Sequence, residues 1–165
     1  MIFRARTVVT MDGPPIDNGA VAVAEGRIQN VGRWPEFSGP EVTDLGEVIL
    51  LPGLVNAHCH LDFTALRGAI APLRSFADWI RQINAKRREL TTEDFLASIT
   101  AGFAEARRWG TTTLANIESL PALLKRLPEP PLRTWWFLGW IDVRTDATPA
   151  SLGQTAMAIV RRRRQ

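Results

Sequence analysis

Two histidines separated by a single residue, His58 and His60, are the only histidines in this 165-residue chain. They close a short apolar run, Leu54-Val55-Asn56-Ala57-His58-Cys59-His60, that follows the turn pair Pro52-Gly53. In an extended strand, side chains alternate between the two faces. Both imidazoles therefore point to one side and Cys59 to the other. Two neutral imidazoles on one side can occupy adjacent positions on a divalent metal, with Cys59 left as a small buried residue on the opposite face. A bare His-x-His is also compatible with a polar strand end that binds nothing, so the elements around it have to decide.

Those elements fall into two textures. Residues 1–52 read as short strands punctuated by turns: Thr7–Met11, then Ala20–Ala24 and Arg27–Val31 as a hairpin about Glu25-Gly26, then Glu47–Leu51. No helical period runs through them, which predicts a small β-rich sheet or sandwich module. From residue 53 the pattern alternates. After the histidine strand, Phe76, Trp79, Ile80 and Ile83 recur at helical spacing across Ser75–Arg88. A second helix starts at Thr91 or Thr92, with Glu93 and Asp94 in its first turn, and stops at Gly110. Thr111–Ile117 is a β-branched strand, Leu120–Leu127 a helix closed by prolines, Thr134–Trp140 a third strand and Ser151–Arg164 a third helix. Alternating strands and helices predict βαβ units on a parallel sheet, an α/β class. If that sheet curls into a (β/α)8 barrel, the C-terminal end of its first strand is an active-site rim.

Composition narrows the function. The chain is 45% hydrophobic and 22% charged, ordinary for a globular protein, and its net charge is only +3. Much of the basic surplus sits in Arg161–Arg164, a solvated helix end, so no nucleic-acid face is expected. One cysteine permits no intrachain disulfide, which suits a reducing, cytoplasmic setting. No secretory leader and no stretch of about 20 apolar residues is present, so no membrane span is expected. Trp136 and Trp140 share one side of their strand and read as core.

The run Pro52-Gly53-Leu54-Val55-Asn56-Ala57-His58-Cys59-His60-Leu61-Asp62 resembles the first barrel strand of the amidohydrolase superfamily. Leu66-Arg67-Gly68 resembles the following loop in its deaminase and chlorohydrolase branch, and Gly110-Thr111-Thr112-Thr113 that branch's second strand. Residues 1–52 resemble the composite sandwich module beside the barrel. The likeness covers nearly the whole chain, in order. It implies an N-terminal part of a TIM-type barrel, with residues 53–165 supplying about three of eight βα units. It further implies a divalent metal, zinc first and iron second, held by His58 and His60 and completed by a histidine and an aspartate on later strands. Such a metal activates water for attack on a carbon bearing an amino or other leaving group. The proton-shuttling groups are then expected beyond Gln165, and the chain by itself is expected to be inactive.

Within the family, Asn56–Thr64 and Ser75–Ile80 look most like aminodeoxyfutalosine, adenosine-derivative or cytosine-type deaminases. The implied substrate is a small amino-heterocycle or nucleoside derivative, and a homo-oligomer is compatible with the full-length protein. Trp79 stands where related enzymes contact substrate, and equally suits a buried anchor on an amphipathic helix. Asp62 suits a partner orienting a histidine, and equally a loop aspartate. Asn56 and Thr112 suit hydrogen bonds at the rim or to backbone. Other readings stay open: a cyclic-amide or dechlorinating branch, or a short binding module without catalysis. The branch that uses a carbamylated lysine gains nothing from Lys86 and Lys125, both in helical segments.

Overall fold

The computed structural model describes residues 1–72, 75–120 and 122–139. The expected helix Ser151–Arg164, Trp140 and the arginines Arg161–Arg164 lie outside them. The chain divides into two units, Met1–Gly53 and Leu54 onward.

The first unit is one five-stranded sheet. Strands β1 (Ile2–Val8), β2 (Ile16–Ala24) and β3 (Arg27–Arg33) form an antiparallel meander. The short strands β4 (Val42–Asp44) and β5 (Ile49–Leu50) pair in parallel with β1. The second layer of a sandwich is not among the described residues of this unit. The hairpin turns at Glu25 and Gly26, both with positive φ, as its sequence predicts. The first strand differs from expectation, beginning at Ile2 rather than Thr7. Arg4 and Arg6 break its apolar pattern, yet Ile2–Val8 pairs along β2 from Ala22 to Ile16, and Ile2–Arg4 also pairs with Val42–Asp44, so backbone pairing with later segments extends it. Met11, with φ +65, lies beyond its end. Ala5, Val8 and Val21 form the core of this unit.

The second unit is a parallel sheet in the order β6 (Leu54–Cys59), β7 (Thr111–Glu118), β8 (Arg133–Leu138). Helices α1 (Phe76–Arg87) and α2 (Thr92–Arg108) connect β6 to β7. Both start where the sequence predicts. Ser75 accepts from the Asp78 amide, and Thr91 forms a reciprocal capping box with Asp94. Thr91→Ala should therefore cost about 1 kcal/mol, read as a lowered thermal midpoint; an unchanged midpoint would show the box to be idle. After α2, Gly110 at φ +79 turns the chain into β7.

The helix expected over Leu120–Leu127 is instead a single 3-10 turn, Leu123–Lys125. Prolines at 121 and 128 leave too few residues to propagate a helix. Ile99 and Leu114 are fully buried between α2 and β7, joined by Leu61, Phe95, Phe103 and Leu123. Each such side chain contributes about 1.5–3 kcal/mol through burial. Trp136 is partly buried and packs edge-on against Phe103 at the margin of this cluster, while Trp135 and Phe137 on the other face of β8 are exposed.

Candidate metal centre

Strand β6 ends in a local irregularity. Asn56 is level with Leu114 and Cys59 with Asn116, so β6 spends three residues where β7 spends two. A bulge of this kind re-aims side chains, which strict alternation does not anticipate. His60 lies just past the strand, with φ −130 and ψ 85. The two imidazoles nonetheless come together, with ring centroids 5.2 Å apart and planes inclined at 64°. Metal–nitrogen bonds of about 2.0–2.1 Å at a tetrahedral angle would place two such centroids about 5 Å apart, so the pair fits a shared ion.

His58 is exposed and His60 half-buried. Burial lowers the His60 pKa, the charges of His58 and Arg87 lower it further, and a contact with the Ile117 carbonyl opposes them. The ring is thus held toward its neutral, ligating form. Among the described residues, no cluster of three or more His, Cys, Asp and Glu side chains could complete a metal site. Cys59 packs against the α2 side of the sheet, its thiol 3.6 Å from the Ala115 carbonyl and Asn116 Oδ1. Burial, and then the nearby Asp62 charge, push that thiol's pKa up, which keeps it protonated and unreactive.

The turn that follows, a 3-10 stretch Leu61–Leu66, is clamped from two elements. From β7, Asn116 Oδ1 accepts from the Leu61 amide at 2.8 Å. From α2, the Ser98 hydroxyl lies 3.1 and 3.0 Å from the Leu61 and Asp62 carbonyls and accepts from the Ala65 amide at 2.9 Å. Asn116 and Ser98 are both buried. Gly102, one turn past Ser98, lets α2 come so close that a Cβ there would lie 2.6 Å from Thr64 Oγ1 and 2.8 Å from Leu61 Cδ2. Sequence reasoning missed all three residues. The available signal was a Ser and a Gly four apart on the apolar face of α2, and an Asn inside a β-branched strand.

The Asp62 side chain is fully buried and accepts from Arg87 at 3.4 Å. Burial raises its carboxyl pKa to about 7, with the Glu118 charge adding and Arg87 opposing. Glu118 is also fully buried at the end of β7, its pKa raised mainly by burial, and it accepts from the Leu120 amide at 2.7 Å. Trp79 is 40% exposed on α1 and stacks on Phe76 with centroids 5.5 Å apart. Asn56 accepts from the His58 amide at 3.2 Å. Lys86 bonds to Glu89 across one helical turn. Arg67, in the loop after the turn, meets both carboxylate oxygens of Glu105 at 2.7 Å.

The sequence model of the Amidohydrolase family matches residues 49–134, more than half of the chain. A 5-methylthioadenosine/S-adenosylhomocysteine deaminase of Nitratidesulfovibrio vulgaris is 37% identical over 123 residues, which is 70% of this chain and 28% of that protein. The chain thus spans under a third of that relative's length. A zinc-bound adenosine deaminase from Xanthomonas campestris superposes with a TM-score of 0.57 at 26% identity, over 76% of this chain and 31% of that one. Helicobacter pylori aminofutalosine deaminase, in complex with methylthio-coformycin, shares the fold with a TM-score of 0.73 at 18% identity, over 94% of this chain and 38% of its own. No helix among the described residues is long and apolar enough to cross a membrane.

Proposed function

Because the chain belongs to the amidohydrolase family, we propose that the whole protein is a metal-dependent deaminase of adenosine derivatives modified at the 5′ carbon. The observation that carries this reading is the pair His58 and His60, meeting at 5.2 Å at the end of β6 within the matched segment. The substrate class follows the name of the 37% identical relative. In this reading residues 1–52 form a composite module, and β6, β7 and β8 are the first three strands of an eight-stranded barrel.

His58 and His60 would hold the ion through neutral ring nitrogens. What a divalent metal supplies there, zinc in this reading, is Lewis acidity that makes water a nucleophile near neutral pH. Ser98, Asn116 and Gly102 keep the turn after His60 rigid, so the pair is pre-oriented rather than ordered on binding. Trp79 offers a partly exposed indole as a stacking surface for a flat base. In net terms, water oxygen adds to C6 of the adenine ring, the C6–N6 bond breaks, and the nitrogen leaves as ammonia. The remaining metal ligands and the groups that move protons are assigned to residues beyond Gln165.

The protein expressed from its whole reading frame should release ammonia from 5′-methylthioadenosine. A chelator should abolish turnover and added zinc restore it. No ammonia from adenosine, 5′-methylthioadenosine or S-adenosylhomocysteine, or turnover indifferent to chelation, would overturn the reading.

A further inference from the structure

Arg87, on the last turn of α1, sends its guanidinium in between the turn after the histidine pair and the end of β7. Its side chain is 18% exposed and that of Asp62 only 1%. Nη2 donates to the Ser119 hydroxyl at 2.7 Å and to Asp62 Oδ2 at 3.4 Å. The guanidinium carbon lies over the Phe63 ring, 4.8 Å from its centroid, and 5.8 Å from that of Phe95. Phe63 in turn stacks on His60, with centroids 5.2 Å apart and planes only 13° from parallel.

Burying this charge is costly, and the contacts return part of the cost: Arg87 Nε and Asp62 Oδ1 have no partner among the described residues. Apolar side chains of similar volume would often stabilise such a space as well or better. An apolar filler would not grip a ring face and two polar anchors together. We propose that Arg87 is a positioning residue for the histidine pair, pinning Phe63, which fixes the plane of the His60 imidazole. The links to Asp62 and Ser119 hold the same turn to the neighbouring strand. This rests on the reading of His58 and His60 as ligands. A tilted imidazole aims its lone pair away from the ion, so the effect falls on affinity and ligand field rather than on the fold.

The test uses cobalt(II) alone as probe, in the protein expressed from its whole reading frame, with affinity read by chelator competition and geometry by the visible d–d spectrum. Arg87→Gln and Phe63→Leu should each weaken binding about 10–100-fold and alter the d–d bands, at unchanged far-UV circular dichroism. The double variant should fall no further than the worse single one, as expected of residues acting in series. Wild-type affinity and spectrum in Arg87→Gln would overturn the proposal. If that variant does not fold, Phe63→Leu decides, because it leaves the bonds to Asp62 and Ser119 in place. Wild-type behaviour there overturns the proposal equally. His58→Asn separates the two readings: if it loses cobalt while Arg87→Gln keeps it, only the positioning role falls. If the wild type takes up no cobalt, the ligand reading falls first and the positioning role with it.

Discussion

His60→Asn, in the protein expressed from its whole reading frame, should lose its metal and at least about 10³-fold in kcat/KM. A bound metal ion contributes several kcal/mol of charge stabilisation to a hydrolytic transition state, and each 1.36 kcal/mol is a factor of ten. His60 is the better position for this test than His58. It is half-buried, stacks on Phe63 and is held toward its neutral form by burial. Its orientation is therefore set before any ion arrives, and removing it discards that preorganisation as well as one donor. The ring is not part of the buried core between α2 and β7, so the thermal midpoint of the metal-free protein should barely move. Metal content by elemental analysis, activity and the melting curve together make the check. Full metal occupancy with wild-type turnover would remove His60 from the site.

The second large effect is on stability. Gly102→Val should destabilise the second unit by about 3 kcal/mol, seen as a fall of about 6–12 °C in the thermal midpoint. The reason is a close approach: a Cβ at Gly102 meets Thr64 Oγ1 at 2.6 Å and Leu61 Cδ2 at 2.8 Å. Neither neighbour is free to yield. Leu61 is 5% exposed within the cluster of Phe95, Ile99 and Phe103, and the Thr64 hydroxyl donates to the Leu61 carbonyl at 2.8 Å. Gly102→Ala should do less, because overpacking of about 1–3 kcal/mol is offset by about 1 kcal/mol of better helix propensity. The clash lands on the turn that begins directly after His60, so cobalt affinity should fall along with stability. Gly102→Val melting at the wild-type temperature would show that α2 can shift away at no cost.

Several features were legible in the sequence for identifiable reasons. The capped starts of α1 and α2 are local: Ser75 and Thr91 are followed three residues later by Asp78 and Asp94, and the bonds they make span one turn. The hairpin at Glu25-Gly26 is equally local. Where the sequence reading departed from the structure, one departure came from contact across the chain and the other from local residues. The start of β1 at Ile2 depends on backbone partners at residues 16–22 and 42–44, whereas the single turn Leu123–Lys125 was a local matter, helical pattern losing to the prolines at 121 and 128.

The candidate site divides along the same line. The sequence by itself determined that His58 and His60 close a short apolar strand, and that the chain carries the pattern of its family. Those are facts of residue type and near-neighbour spacing, which strand and helix periodicity convert directly into direction. Only the tertiary structure decided what holds the pair. The bulge between Asn56 and Cys59 arises from register against β7. Asn116 reaches Leu61, Ser98 reaches Asp62, and Arg87 reaches both Asp62 and Ser119, each across at least 25 positions of sequence. Such contacts form because α2 packs its buried residues onto β7, which folds distant segments against one turn. No local pattern encodes that juxtaposition, because it is the burial of the core that brings the polar clamp into register.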